Sequence, residues 1–168
     1  MIATGIGYDC HPFAPERRLV LGGVEIPNDR GLAGHSDADV LTHAIIDALL
    51  GAAAMADIGE HFPDSEERYQ DANSLDLLRA AVSMLGKAGF AIHHVDATVV
   101  IERPAVAPHR ERIRQALAAA LGIGLEHVSV KATRGERMGF IGRGEGAAAL
   151  AVATVGTGAG DPPSAFGS

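Results

Sequence analysis

The fold follows from one stretch, residues 34–66, which reads GHSDADVLTHAIIDALLGAAAMADIGEHFPDSE. Ser36, with Asp39 three residues later, forms a shortened capping box that predicts a helix beginning near Ser36. At about 100° per residue, one set of apolar side chains shares a single broad arc, which predicts a surface that faces the core. That set is Val40, Leu41, Ala44, Ile45, Ala48 and Ala52.

The opposite side of this helix is polar, yet it has no lysine, arginine or glutamate. Its residues are Ser36, Asp39, His43 and Asp47. A histidine one turn before an aspartate suits a metal-bound imidazole whose second nitrogen is held by the carboxylate. For His43 and Asp47 alone, an ordinary surface pair is the better interpretation. Two further candidate ligands on the first predicted strand favour the metal-site interpretation instead.

Length and composition describe one ordinary domain. The chain has 168 residues, of which 47% are hydrophobic, with no tryptophan and only five phenylalanines, so the core is expected to be aliphatic. We expect the domain to span residues 1–156. Residues 157–168, rich in Gly, Pro, Ser and Ala, are expected to be a flexible tail.

Charge and cysteine usage exclude several classes of protein. A net charge of −7 argues against a nucleic-acid surface. No apolar run is long enough for a membrane span, and the start of the chain does not read as a secretory signal. The single cysteine excludes an internal disulfide, which favours a reducing, cytoplasmic location. Any polyanionic substrate would have to be neutralised largely by bound metal.

The order of the predicted elements gives the fold class. The predicted strands are 2–13, 18–26, 90–102, 128–133 and 146–155, and two further helices are predicted at 74–87 and 108–121. This pattern predicts an α+β domain of two layers, a mixed four-stranded sheet with helices on one face. The last strand is apolar on both faces, so the other face of the sheet is expected to be covered by self-association.

The first strand supplies two candidate ligands. Asp9 and His11 are two residues apart and share a face, whereas Cys10 points the other way and is interpreted as a packed apolar residue. With His43 they form a set of two imidazoles and one carboxylate, which is the pattern of a catalytic zinc with one open position. Similar sets also hold non-haem iron. His35 and Ser36, at the predicted helix start, lie where a phosphate would be received.

A second polar cluster follows the strand 128–133. Thr133, Glu136 and Arg143 lie in a glycine-rich segment that is expected to form a hairpin turn. A hydroxyl, a carboxylate for a hard cation such as Mg²⁺ and a guanidinium are the groups that proteins use on phosphoryl oxygens. The residues by themselves therefore indicate a zinc-dependent enzyme acting on a phosphorylated small molecule.

Four motifs in order resemble the 2-C-methyl-D-erythritol 2,4-cyclodiphosphate synthase family of the non-mevalonate isoprenoid pathway. They are GYDCHPF at 7–13, GHSDADVLTHA at 34–44, DIGEHFPD at 57–64, and KAT at 131–133 followed by Glu136 and MGFIGR at 138–143. The likeness runs from residue 2 to about 155. It implies a homotrimer whose sheets face the axis, with active sites at subunit interfaces. It also implies a lyase that converts 4-diphosphocytidyl-2-C-methyl-D-erythritol 2-phosphate to the cyclic diphosphate and CMP.

The resemblance also implies cofactors and residue roles. Zn²⁺, or another divalent transition metal, is implied on Asp9, His11 and His43, and Mg²⁺ or Mn²⁺ near Glu136. The implied catalytic residues are His35, which positions and stabilises the transition state, Thr133, and Arg134, which stands where the family has a hydroxyl residue. Arg134 either replaces that contact with a charge or points away.

The implied substrate contacts form three groups. The methylerythritol phosphate end would be held by Asp9, His11, His35, Ser36, Asp57, Ile58, Gly59, Phe62, Pro63, Asp64, Ser65 and Glu66. The cytosine pocket would comprise 101–107, with Ile101, Pro104, Val106 and Ala107, and the diphosphate would meet Thr133 and Glu136. Phe140 and Arg143 would lie towards an axial cavity for an isoprenoid diphosphate. Ala105 and Leu150 depart from the family, which often has a lysine and an acid at these positions.

Two alternative functions remain open from the sequence. One is a zinc-dependent hydrolase of a nucleotide-linked diphosphate, which would use the same ligands and release a linear product. The other is a non-catalytic trimer that binds isoprenoid diphosphates.

Overall fold

The computed structural model describes residues 1–157. Its strands are β1 Ile2–Pro15, β2 Leu19–Leu21, β3 Val24–Ile26, β4 Arg30–Leu32, β5 Phe90–Val100, β6 Val128–Thr133 and β7 Gly146–Thr157. Its α-helices are α1 Val40–Ala52, α2 Ile58–His61, α3 Ser74–Lys87, α4 Arg110–Leu121 and α5 Gly139–Gly142. The tail predicted over 157–168 falls outside the described residues, apart from Thr157, which ends β7.

The main sheet is mixed and has five strands in the order β4-β1-β7-β5-β6, with only the β5–β6 pair parallel. The prediction of four strands was therefore wrong. The extra strand is β4, which lies in the segment expected to be a loop and pairs Leu32 with Phe13 of β1. A three-residue strand is stabilised by its partner and leaves little periodicity in its own sequence.

The single strand predicted over 18–26 is a hairpin. β2 and β3 pair antiparallel as a separate two-stranded sheet. The turn between them is formed by Gly22 and Gly23, both in the left-handed region at φ +57° and +73°, which glycine adopts without steric cost. The two glycines therefore form the turn of this hairpin.

Helix α1 packs across β1 and β7 and is buried nearly all round. The apolar arc predicted from periodicity is buried, and so are Thr42, Ile46, Leu49 and Leu50, which lie outside it. The helix can approach the sheet closely because β1 has glycine at positions 5 and 7, directly beneath backbone atoms of Ala44, Ala48 and Ala52. The lack of side chains at these two glycines leaves the space that α1 occupies.

Helix α1 begins at Val40, four residues later than predicted, and its N-cap is Asp39. The Asp39 carboxylate accepts hydrogen bonds from the backbone nitrogen of Thr42 at 3.0 Å and from its hydroxyl at 2.7 Å. It also accepts the backbone N–H groups of Gly22 and Gly23 at 2.9 and 2.7 Å. Asp39 caps α1 and fixes the β2–β3 turn against it, so residues 35–38 remain a loop.

The far face of β1 and β7 is largely apolar and is covered by no helix within residues 1–157. Helices α3 and α4 extend the same layer as α1, packing against β5 and β6. Alternate residues of β1 and β7 face the other way and are exposed; the large ones are Ile2, Ile6, Tyr8, Leu150 and Val152. The expected second apolar face is present.

Two further predictions differ from the structure: the start of α4 and the hairpin expected after β6. α4 begins at Arg110 after a short 3₁₀ turn, Ala107–His109, rather than at 108. The glycine-rich segment after β6 forms the one-turn helix α5 and not a hairpin, because β6 and β7 do not pair with each other and both lie beside β5.

Candidate active site

Asp9, His11 and His43 converge on one point. The Asp9 Oδ2 atom lies 2.9 Å from His11 Nε2 and 3.1 Å from His43 Nδ1, and the two ring nitrogens are 3.4 Å apart. Ligands that bind zinc tetrahedrally at about 2.0–2.1 Å are separated by roughly 3.3 Å. The donor set and its spacing therefore fit a divalent transition metal with a further position open.

The strand and the helix each place their ligands through local geometry. Asp9 and His11 point towards α1 because they are two residues apart on β1, and His43 lies on the first turn of α1. Cys10 points to the opposite face, as predicted, but it is exposed rather than packed. It faces the side of the sheet that no helix packs across, with Phe140 of α5 nearby.

The second nitrogen of His43 is not held by Asp47. His43 Nε2 lies 2.9 Å from the Ser74 hydroxyl oxygen and 3.1 Å from that of Ser36. Asp47 instead accepts the backbone N–H of Ile58 at 2.8 Å and so anchors the start of α2. Sequence reasoning missed Ser74 because it lies 31 residues from His43 and its partnership depends on how α3 packs.

The carboxylate and the imidazoles of this cluster influence one another's pKa values. Burial opposes ionisation of Asp9, but hydrogen bonds from His11 and His43 outweigh it and hold the pKa of Asp9 well below its usual range. Burial also opposes the charged form of His43, yet the Asp9 carboxylate raises the pKa of His43. Asp9 therefore provides a negative charge that faces two imidazole nitrogens, which is a suitable environment for a cation.

The three ligands open into a cavity of about 180 Å³. Of the residues predicted for the methylerythritol phosphate end, it is lined by Asp9, His11, His35, Ser36, Ile58, Gly59, Phe62 and Asp64. Asp47, Tyr69 and Leu77 also line it and were not predicted. Asp57, Pro63, Ser65 and Glu66 do not line it, and the Asp57 carboxylate is used to cap α2 through Glu60 N at 3.0 Å.

His35 carries an unsatisfied atom at this cavity. Its Nε2 is buried and has no hydrogen-bond partner within the described residues. Buried polar nitrogens are almost always paired, so this unpaired atom is unusual, and the His35 side chain lines the cavity. The phenol ring of Tyr69 meets Phe62 edge-on, with 5.5 Å between ring centroids, and forms the apolar wall of the cavity.

Arg17 fixes the loop that carries His35 and Ser36. Its guanidinium donates to the carbonyl oxygens of Ser36 at 2.7 Å, Gly34 at 3.3 Å and Leu32 at 3.3 Å. No motif in the sequence pointed to Arg17, because its partners are backbone atoms that any residue provides.

The residues predicted for the cytosine pocket line a separate cavity of about 150 Å³. Its lining comprises Ile101, Pro104, Ala105, Val106, Ala107, Ala132, Thr133 and Arg134. Asp9 pairs with Ala149, Ala149 with Val99, and Val99 with Ala132, so the two cavities are at the same end of the sheet. Three strand spacings separate them by about 14 Å, and no residue lines both.

The remaining predicted residues lie around α5. Glu136 is exposed, has φ +51° and lines neither cavity. Phe140 is 40% exposed and lies beside Cys10 and Pro12. The Arg143 guanidinium donates to both carboxylate oxygens of Glu145 at 2.7 and 3.2 Å, and that hydrogen-bonded carboxylate raises the pKa of Arg143.

The fold and the site together define a class of protein. An α+β domain with a carboxylate and two imidazoles at one corner of a cavity has the donor set with which enzymes hold a divalent metal beside a small-molecule substrate. The chain matches the YgbB family over residues 2–156, and it belongs to that family. None of the helices within residues 1–157 combines the length and apolar character needed to cross a bilayer.

Relatives and solved structures support the same assignment. The chain is 57% identical over 152 residues to the 2-C-methyl-D-erythritol 2,4-cyclodiphosphate synthase of Rubrobacter xylanophilus, covering 89% of this chain and 92% of that one. It resembles the bifunctional IspDF of Campylobacter jejuni at TM-score 0.91 and 39% identity, with 94% of this chain covered but only 43% of that protein. The CDP complex of IspF from Plasmodium falciparum matches at TM-score 0.82 and 33% identity, covering 93% and 96% of the two chains.

Proposed function

We propose that this chain converts 4-diphosphocytidyl-2-C-methyl-D-erythritol 2-phosphate to 2-C-methyl-D-erythritol 2,4-cyclodiphosphate with release of CMP, a step of the non-mevalonate isoprenoid pathway. The observation that carries the proposal is the convergence of Asp9, His11 and His43 on one cation position beside His35. Family membership and synthase relatives that match along nine-tenths of the chain support it. We assign the reaction to the predicted domain, residues 1–156.

The chemistry is an intramolecular phosphoryl transfer. An oxygen of the 2-phosphate forms a bond to the β-phosphorus, and the bond from that phosphorus to the α-phosphate oxygen breaks, its electron pair leaving with CMP. The attacking group and the leaving group are both anions, so proton transfer contributes little. The enzyme has to bring two like-charged groups together and neutralise them.

The chain supplies the required positions. Asp9, His11 and His43 would hold Zn²⁺, and Glu136 would hold Mg²⁺ or Mn²⁺; bound there, the cations supply positive charge to the phosphoryl oxygens. His35 would face the 2-phosphate from the wall of the same cavity, and Ser36 adds a hydroxyl there. Thr133 and Arg134, which line the second cavity, contact the diphosphate from the other side.

We propose that three copies assemble with their sheets facing a common axis, so that one subunit's metal cavity meets the neighbour's cavity at 101–107. Two observations support this assembly. The face carrying Ile6, Tyr8 and Val152 is apolar and exposed. The two cavities expected to hold the two ends of the substrate share no lining residue within one chain. The CDP complex of the Plasmodium falciparum protein supports a cytidine diphosphate group as part of the substrate.

Phe140 and Arg143 would lie near the axis of that assembly, where an isoprenoid diphosphate is a candidate ligand. Arg143 would have to give up its bidentate contact with Glu145 to bind it. The cytoplasmic location expected from the single cysteine stays a prediction.

Product analysis tests the reaction. The purified protein is incubated with the diphosphocytidyl substrate and Mg²⁺, and the products are followed by ³¹P NMR. We expect stoichiometric CMP and a cyclic diphosphate. CMP with a linear product would instead identify a hydrolase, and tight binding of an isoprenoid diphosphate without any turnover would identify a non-catalytic binding protein.

A further inference from the structure

A chain of hydrogen bonds leads from His43 away from the metal position to Asp37. The Asp37 carboxylate accepts the backbone N–H of Ser74 at 2.9 Å, and its other oxygen accepts the Ser74 hydroxyl proton in a short hydrogen bond. The Ser74 oxygen lies 2.9 Å from His43 Nε2. Ser74 is fully buried and lies outside the cavity lining, so it does not serve the substrate directly.

The position of the hydroxyl proton determines what Ser74 does for His43. A hydroxyl has one proton, and here it is donated to an ionised carboxylate, which accepts but does not donate. The Ser74 oxygen therefore accepts from His43, and Nε2 carries the imidazole hydrogen. In neutral imidazole the other nitrogen is then a bare lone pair, and that nitrogen is Nδ1, which faces Asp9 and His11.

We infer that Asp37 and Ser74 are positioning residues for the reaction, because together they fix His43 in the tautomer that can ligate a metal. With the other tautomer, Nδ1 would donate its hydrogen to Asp9 and could not bind a cation. The Ser36 hydroxyl oxygen lies 3.1 Å from the same Nε2 and accepts the backbone N–H of Ala38, and with Nε2 protonated it is a second acceptor for that hydrogen.

The same contacts fix the phosphate-side loop to the start of α3. Asp37 N donates to Ala72 O at 3.1 Å, and Asp71 N donates to His35 O at 2.9 Å. The residue that orients His43 is thus part of the loop that carries His35 and Ser36. One set of backbone and carboxylate hydrogen bonds therefore fixes the position of His43 relative to His35 and Ser36.

This inference rests on the proposed metal site, and its test measures zinc binding rather than turnover. Zinc affinity of the full chain is measured by competition with a chromophoric chelator for the wild type, Ser74→Ala and Asp37→Asn. Loss of an outer partner of a ligating histidine typically costs about 10–100-fold in metal affinity, and we expect about 10-fold because Ser36 remains. The matched controls are Ser83→Ala and Asp76→Asn, exposed residues on α3 that should bind within about two-fold of the wild type.

A second measurement does not depend on any variant folding. ¹⁵N NMR of the zinc-loaded wild-type protein reports which nitrogen of His43 carries a proton. We expect a protonated Nε2 whose hydrogen exchanges slowly with solvent, because the Ser74 oxygen accepts it. Protonation of Nδ1 in the wild type overturns the inference, and so does unchanged zinc affinity in both variants.

The outcomes separate the inference from the proposed function. A wild type that takes up no zinc removes the proposed metal site itself. A wild type that binds one zinc, alongside variants that bind it equally well, leaves the site in place and removes only the role of Asp37 and Ser74.

Discussion

The backbone of β1 passes directly beneath Ala44, and a Cβ atom on Gly7 would lie 1.9 Å from the Ala44 carbonyl oxygen. Real side chains never approach a backbone oxygen so closely. This contact sets the distance between β1 and α1, and Ala44 is the residue after His43. The spacing of the metal ligands therefore depends on the absence of a side chain two residues before Asp9.

Gly7→Ala is expected to force α1 away from β1. Overpacking typically costs about 1–3 kcal/mol in the free energy of unfolding, and a backbone clash belongs at the upper end. Urea denaturation measures that loss, and zinc affinity should fall with it. Gly86→Ala is the control: Gly86 is in α3 with nothing within 4 Å of its added Cβ, so stability should rise by about 0.5–1 kcal/mol. Equal stability of the two variants would contradict the packing described.

Asp47 should make stability depend on pH in the metal-free protein. Burial raises the pKa of Asp47; the hydrogen bond from Ile58 N opposes the shift, and the charges of Asp57 and Asp9 add to it. A carboxyl with a raised pKa in the folded state contributes stability below its unfolded pKa of about 3.9, and that contribution is lost as pH rises through the folded value. The ionised side chain therefore costs stability at pH 7.

Replacing Asp47 by asparagine keeps an acceptor for Ile58 and removes the charge. We expect the free energy of unfolding to rise at pH 7 by less than about 1 kcal/mol, because the half-buried group is partly screened by solvent. The gain should vanish below about pH 4, where the wild-type carboxyl is protonated. Denaturant titrations at pH 7 and pH 4 compare the two proteins. A variant less stable than the wild type at pH 7 would show that the charge itself is favourable.

Glu102 should matter to nucleotide binding without touching the nucleotide. Its carboxylate accepts the backbone N–H of Gly135 at 3.0 Å and so joins the loop at 101–107 to the segment after Thr133. A hydrogen bond to a charged group contributes about 1.5–3 kcal/mol, so Glu102→Ala should weaken CDP binding by about ten-fold or more in calorimetry. Glu102→Gln keeps an acceptor and should stay within about three-fold. If Glu102→Ala binds CDP as tightly as the wild type, this hydrogen bond does not contribute to the proposed pocket.

Ile6 tests the assembly. It is 70% exposed in one chain and lies on the apolar face that the proposed trimer would bury. A buried, unpaired carboxylate costs several kcal/mol, so Ile6→Asp should sediment as a monomer at micromolar concentration and lose at least ten-fold in CMP release. Ala80→Asp adds the same charge to an exposed position of α3 and should leave the trimer intact. Trimeric Ile6→Asp would mean that another surface joins the subunits.

Patterns within one element predicted the parts of the site that lie on that element. The bounds of α3 and β6 were confirmed, because fourteen and six residues of regular periodicity define them without help from neighbours. Asp9 and His11 were expected on one face, since alternation along a strand is a property of the backbone alone. Their meeting with His43 was inferred from chemistry, and the structure brings the three together.

Predictions of contacts between different elements were wrong, or the contacts were missed. Asp47 was expected to hold His43 because it is one turn away, but Ser74 holds it from another helix. β4 and the division of 18–26 into β2 and β3 were likewise missed, since short strands form only where a partner pairs with them. The helix start was wrong for the same reason. The capping pattern predicted a start near Ser36, whereas the N-cap is Asp39, whose carboxylate also accepts the backbone N–H of Gly22.

The sequence by itself determined the α+β class, the candidate ligand residues and the family, because these depend on residue chemistry and on periods of two and about 3.6 residues along the chain. Only the tertiary structure decided which nitrogen of His43 faces the cation position, which side chain holds the other, and that the two halves of the substrate site are apart in one chain. Those properties are set by distances of a few ångströms between segments far apart in sequence. Such distances arise from how α1, α3 and the sheet pack together, and no local pattern encodes them.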